Sequence, residues 1–197
     1  MRPSRRGFLR LALGGSALAA LGGEVSAQTT LPPTPACGAD ARTPAQTEGP
    51  YFKPSSPERA SLLDPEMRGR RLVVAGVVRG TDCRPISRAL LDFWHADAGG
   101  RYDNSGFRLR GHQFTDAEGR YRLETIMPGV YPGRTRHIHV KAQAPSRSPL
   151  TTQLYFPGEP ANARDGIFDQ ALVVALADAA DGAAARFDFV LDLGARR

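Results

Sequence analysis

His137 and His139, in the stretch GVYPGRTRHIHVKA (residues 129–142), are the residues of this chain best spaced to do chemistry. In an extended strand alternate side chains share a face, so both imidazoles point one way while Ile138 and Val140 point the other. Two imidazoles one strand repeat apart can reach a single metal ion. The whole chain of 197 residues holds only 4 histidines and 5 tyrosines, yet Tyr131 stands just upstream, before a Pro-Gly bend. A second tyrosine, Tyr102, follows a Gly-Gly turn in FWHADAGGRYDNSG. The candidate ligand set is Tyr102, Tyr131, His137 and His139. A free tyrosine ionises near pH ~10, so only a strong Lewis acid would keep two of them as phenolates at neutral pH. Zinc and copper sites lean on imidazole, thiolate or carboxylate, so two tyrosinates point to Fe(III). A half-buried strand whose polar face is histidine remains the bland alternative.

The elements that must position these groups are short strands. RLVVAGVV (71–78), RALLDFWHAD, the pair of alternating runs in GHQFTDAEGRYRLETI, the His-Ile-His strand, LTTQLYF (150–156) and RFDFVLDL (186–193) alternate with Gly/Pro-rich turns. GHQFTDAEGRYRLETI reads as a hairpin turning at Asp116–Gly119. FDQALVVALADAADGAAA is the one helix-like stretch, and its Val-Val and Gly weaken that reading. Many short strands and no internal repeat predict an all-β fold, a single-domain β-sandwich of antiparallel strands with long loops. Residues 28–70, rich in Pro, Thr, Ser and Ala, are expected to form an extended N-terminal arm and loops, and residues 71–197 the β-sandwich domain that carries the candidate site.

Residues 1–27 read as a twin-arginine export signal: SRRGFLR, a short glycine-broken apolar run, then VSA as the cleavage site. That run is too short for a spanning helix of ~20 residues, so no stable membrane anchor is expected. The expected location is periplasmic or secreted. Removing the four arginines and one acid of this segment leaves 22 basic and 19 acidic residues, lowering the net charge from +6 to +3. Nothing that remains forms a basic tract, so no nucleic-acid partner is implied. In an exported protein the even pair Cys37 and Cys83 suggests a disulfide.

TEGPYF, DFWHADAGGRY, YRLETIMPGVYPGRTRHIHVKA and TTQLYF, in this order across residues 47–156, resemble the intradiol ring-cleavage dioxygenases. The resemblance implies a β-sandwich holding non-haem Fe(III) with two tyrosines and two histidines. It implies cleavage of a small-molecule catechol with O₂ between the hydroxylated carbons, giving cis,cis-muconate-type products. Tyr102 resembles the tyrosine that stays bound. Tyr131 resembles the axial tyrosine that gives way to substrate and takes a proton. His137 and His139 match the histidine pair, and Arg134 and Gln153 resemble the residues that steady substrate charge and the oxygen site. The stretch from Tyr131 to His137 is shorter than in protocatechuate dioxygenases, and Gly133 stands where those enzymes often place a bulky aromatic, which implies an open pocket. A homo-oligomer stays open as an assembly.

Other candidates read differently. His95 reads as packed or hydrogen-bonded, His112 as surface or near-site, and Tyr121, Trp94, Tyr155 and Phe156 as core. Tyr51 reads equally as pocket mouth or packing. Arg136 faces away from His137 along a strand, leaving Arg134 as the catalytic arginine. Two other classes fit the residues: a non-catalytic β-sandwich binding module, and an envelope metal-binding protein using His137 and His139 with zinc or copper.

Overall fold

In β1 (Arg71–Gly80), Leu72, Val74 and Val78 turn inward and are buried. The same alternation buries Leu91 and Phe93 of β2 (Leu90–Trp94), Tyr121 and Leu123 of β4 (Arg120–Ile126), and Ile138, Val140 and Ala142 of β5 (His137–Gln143). Each fully buried Leu, Ile, Val or Phe contributes ~1.5–3 kcal/mol relative to exposure. The remaining strands are β3 (Arg110–Phe114), β6 (Leu150–Tyr155), β7 (Ala175–Ala179), β8 (Gly182–Arg186) and β9 (Phe189–Leu191). The computed structural model describes residues 41–194, so the 1–27 segment and Cys37 lie outside the described residues. Cys83 is disulfide-bonded.

Two sheets face one another across this core, one ordered β4-β1-β8-β7 with β9 also paired to β1, the other β3-β2-β5-β6. The fold is an all-β sandwich. Its pairs are antiparallel except at β1, which runs parallel to β8 and to β9.

Two local expectations are corrected. β3 and β4 do not pair with each other: β3 pairs with β2, and β4 pairs with β1. The turn between them is tight, with Asp116 N–H donating to Arg120 O at 3.0 Å and Asp116 Oδ1 accepting from Arg120 N at 2.7 Å. It nevertheless carries the chain from one sheet to the other, β3 joining the edge of β2 and β4 burying Tyr121 and Leu123 against the core. The alanine-rich stretch is not a helix. It supplies a short 3₁₀ turn, Gln170–Leu172, and the β7–β8 hairpin. Ala183 and Ala185 are buried beside β1, and this pairing overrides the helix preference of alanine.

Residues 42–70 hold no strand or helix of their own, yet they belong to the same packed body. Leu62 enters the core, and Gln46, Arg59 and Leu62 each donate a backbone hydrogen bond to the sheets at 2.8 Å. Phe52 lies edge-on to Trp94 at 4.9 Å, and Lys141 sits over Phe52 while pairing with Glu48. The arm thereby covers the outer face of β2, β5 and β6, the face that carries His137 and His139.

His95, just past β2, is buried and bonded to Thr125 Oγ1 at 2.7 Å and Ala96 O at 2.8 Å. Burial pushes its imidazole down to about 4. The unfolded chain, titrating near ~6.5, binds the proton more tightly, so stability is lost as pH falls from that value through the folded one. Thermal unfolding followed between pH 7 and pH 4 should show a falling midpoint, and the fall should be shallower in His95→Gln. An equal fall in the variant would remove His95 as a contributor.

Candidate metal centre

The two tyrosines are delivered by turns that cross at glycines. After β2 the chain closes a loop in which Asp97 N–H donates to Arg101 O at 2.8 Å, and Gly129 N–H donates to Asp97 O at 2.8 Å. A Cβ on Gly100 would sit 2.2 Å from Val130 O, and one on Gly129 would sit 2.3 Å from Gly100 N. Only glycines allow the two backbones this close. Tyr102 and Tyr131 follow two residues after each crossing point, and their rings meet edge-on with centroids 5.9 Å apart. Downstream, the Asp103 carboxylate accepts from Gly106 N at 2.8 Å and Arg108 N at 2.9 Å, and these bonds hold it well below the usual carboxylate range. The buried Arg110 guanidinium donates to Asp103 O at 3.0 Å and to Tyr51 O. Tyr51 in turn stacks on Tyr102 at 4.3 Å, and its hydroxyl is 2.8 Å from that of Tyr131.

The histidines come from the first turn of the β5 pleat. His137 Nε2 lies 3.1 Å from His139 Nε2 and 3.2 Å from Tyr102 Oη. His137 Nδ1 is 2.6 Å from Thr135 O, which can only accept, so Nδ1 carries the proton and Nε2 presents its lone pair. Burial keeps both rings neutral, pushing His137 down to about 4 and His139 well below the ordinary histidine value. Burial raises Tyr102, so its phenolate needs a cation close by. His139 stacks on Trp94 at 4.9 Å, and its buried Nδ1 has no hydrogen-bond partner. A Cβ on Gly49 would stand 3.9 Å from His139 Nε2, so glycine leaves that flank clear.

This arrangement fits a metal ion. Three candidate ligand atoms converge, the Nε2 atoms of His137 and His139 and the phenol oxygen of Tyr102. Among the described residues no group of three or more His, Cys, Asp or Glu gathers anywhere, so a full ligand set here has to draw on tyrosine. Imidazole with phenolate suits Fe(III). Tyr131 stands edge-on to Tyr102, its hydroxyl turned to that of Tyr51.

Arg134 and Gln153 meet next to this cluster. Antiparallel pairing sets Gln153 opposite His139 and Tyr155 opposite His137. Arg134 Nη2 donates to Gln153 Oε1 at 2.7 Å and to Tyr155 Oη at 3.4 Å, and its Nε donates to Asp165 Oδ2 at 2.9 Å. Gln153 Nε2 donates to Thr47 O of the arm at 2.9 Å. Arg136 turns elsewhere, to Glu159 at 2.7 Å and to Pro128 O. His112 bonds to Ser56 O at 2.8 Å, and Tyr121 is a core ring donating to Phe187 O at 2.8 Å. Sequence reasoning passed over three participants. Tyr155 read as packing, although sliding LTTQLYF antiparallel to the His-Ile-His strand would set it across from His137. Tyr51 read only as mouth or packing. Asp165 carried no signal, lying in a loop rich in Gly, Pro and Asn.

The comparisons with known proteins agree with this geometry. A family model described as Dioxygenase matches residues 47–193. The chain is 40% identical over 121 residues to the protocatechuate 3,4-dioxygenase beta chain of Burkholderia cepacia, covering 52% of each. It is 34% identical over 149 residues to catechol 1,2-dioxygenase 2 of Acinetobacter lwoffii, covering 62% of this chain and 54% of that one. It spans about half the length of these curated relatives. Among solved structures, the dioxygenase domain of a dioxygenase carbohydrate-binding protein fusion from Streptomyces sp. SirexAA-E superposes with a TM-score of 0.76 at 59% identity, over 78% of this chain and 99% of that one. The chain belongs to the intradiol ring-cleavage dioxygenase family.

Proposed function

We propose that the protein is an exported Fe(III) intradiol dioxygenase that opens the ring of small catechols with O₂, giving cis,cis-muconate-type products. The observation that carries this reading is the convergence of Tyr102 Oη and the Nε2 atoms of His137 and His139, all within 3.2 Å contacts. Tyr102, Tyr131, His137 and His139 would hold the iron. Bound Fe(III) would supply the Lewis acidity that ionises catechol hydroxyls at neutral pH. Tyr131 accepts a substrate proton, and the Tyr51 hydroxyl, 2.8 Å away, is its hydrogen-bond partner once it is a neutral phenol. Arg134 brings a permanent positive charge to the same face. Its Nε and Nη2 are committed to Asp165 and Gln153, while its Nη1 has no hydrogen-bond partner among the described residues and is left for substrate charge. The arm residues Thr47–Phe52 exclude water from behind the histidines. Residues 1–27 direct export by the twin-arginine route to the periplasm or beyond.

Substrate breadth follows from Gly133, where an added Cβ would find nothing within 4 Å. The pocket accepts catechol and substituted or hydroxylated catechols without requiring a ring carboxylate. The relatives' names include catechol, chlorocatechol and protocatechuate dioxygenases, which supports the chemistry and leaves the ring substituents to experiment.

Purified protein should carry about one iron per chain and a broad visible tyrosinate-to-Fe(III) band. Catechol added under nitrogen should shift that band, and oxygen should then be consumed. Rates on catechol, protocatechuate and hydroxyquinol should all be measurable. A colourless protein holding stoichiometric zinc would overturn the reading, and activity confined to protocatechuate would overturn the open pocket.

A further inference from the structure

The loop after β6 reaches back over the turn that precedes β5 and grips three consecutive residues of it. Asp165 takes the Nε of Arg134 at 2.9 Å, and the same Oδ2 takes the backbone N–H of Thr135 at 2.8 Å. Asn162 Oδ1 accepts from Thr135 Oγ1 at 2.6 Å, and Asn162 Nδ2 ties the loop to Phe156 O at 2.9 Å. Glu159 accepts from Arg136 at 2.7 Å. Within this clasp Asp165 is the buried member: its side chain is 2% exposed, against 20% for Arg134 and 23% for Glu159. Its other oxygen, Oδ1, accepts from Ile167 N at 3.1 Å, so the carboxylate is itself locked by its own loop.

A guanidinium on a flexible stem loses rotamer freedom when it is fixed. The fixing here is done from two sides, Asp165 on Nε and Gln153 on Nη2, and this defines the plane of the fork. The Thr135 peptide that Asp165 grips by its N–H also presents the carbonyl that accepts from His137 Nδ1 at 2.6 Å. One carboxylate thus holds the arginine directly and the first histidine's partner peptide, while making no hydrogen bond to His137, His139 or Tyr102.

We propose that Asp165 is a positioning residue, aiming the Arg134 guanidinium at the substrate from the loop that follows β6. The proposal rests on the dioxygenase reading for its effect on turnover, and on geometry alone for its effect on Arg134. Asp165→Asn keeps the shape but sets an amide N–H against an N–H donor, Arg134 and Thr135 on one side or Ile167 on the other. The geometry of the arginine, rather than the metal, should suffer.

The test compares iron-loaded wild type with Asp165→Asn. Crystal structures should show the Arg134 guanidinium leaving Gln153 in the variant. Iron content, the visible band and its shift with catechol should be unchanged, while kcat falls roughly 10–100-fold, the usual cost of losing such a supporting partner, with KM little altered. In an Arg134→Met background the same substitution should do nothing further, because a residue acting through Arg134 has nothing left to act on. Asn162→Ala, which cuts the clasp at Thr135 and spares the ion pair, should lose less and serves as the second variant. The proposal is overturned if Arg134 keeps its bond to Gln153 in Asp165→Asn. It is overturned equally if the Arg134 and Asp165 effects add, if iron is lost in step with activity, or if Asn162→Ala is as damaging as Asp165→Asn. If wild type opens no catechol ring, the dioxygenase reading fails, and the two crystal structures still decide whether Asp165 holds Arg134.

Discussion

His137→Ala, and separately His139→Ala, should abolish iron binding and with it the visible band and all ring cleavage. The two Nε2 atoms lie 3.1 Å apart and are the only imidazole nitrogens in contact with Tyr102 Oη or with each other. The other two histidines are committed elsewhere, His95 to Thr125 and Ala96, and His112 to Ser56. No spare nitrogen can take over. Tyr102 could not compensate, because burial raises its phenol and a phenolate there would depend on the cation that the histidines would hold. Metal analysis after purification and the visible spectrum check the expectation. Full iron occupancy in either alanine variant would place the metal elsewhere. Tyr131→Phe supplies the contrast: it should keep iron and colour and slow turnover, since its hydroxyl faces Tyr51 and the role proposed for it is to take a proton.

Arg134→Met should leave iron and colour in place and cut turnover by roughly 10²–10³, the ~2.7–4 kcal/mol typical of losing one preorganised donor to developing negative charge. The arginine lowers the barrier only in so far as it interacts more strongly with the transition state than with bound catechol. For that reason the catechol-induced spectral shift should survive while kcat falls. The substitution strips the buried Asp165 of its cation, but Thr135 N–H and Ile167 N–H still donate to the carboxylate, and Asn162 and Glu159 still tie the loop to the turn. Melting temperature is the control for folding. Arg136→Met should be much milder, because Arg136 is bound to Glu159 and Pro128 O, away from the histidine nitrogens. If Arg136→Met were the inactive variant and Arg134→Met near normal, the assignment of the turn would be reversed.

The shared face of His137 and His139 was legible because the period of a strand is local: it needs no knowledge of what pairs with what. Part of the core was legible for the same reason, as Ile138 and Val140 alternate with His137, His139 and Lys141, and Leu91 and Phe93 flank Asp92. What was not legible depends on partners. Whether the Asp116–Gly119 turn closes a hairpin or bridges two sheets is decided by β1 and β2, not by the turn. The alanines of β8 are helix formers that become a strand only because β1 lies alongside. Tyr155 shows its role only once the β5–β6 register is known, and Asp165 only once a loop with no periodicity is folded back over residues 134–136. The four candidate ligands were legible as a set because tyrosine and histidine are scarce in this chain and the chemistry of two phenols is narrow. The supporting groups are common residue types, and common types carry no such signal.

The arm that covers the outer face of β5 has a consequence for the order in which the molecule is built. Tyr51 meets Tyr131 across 80 residues of chain, and Thr47 meets Gln153 across 106. Contacts this remote in sequence form late, because closing so long a loop costs entropy before any contact rewards it. The arm docks onto a sheet whose strands all follow it in the chain. Until it docks, the histidines stand open to water and to any passing cation; afterwards they are walled in. An ion bound for the two imidazoles would have to arrive before the arm docks, or by a side that the arm leaves open.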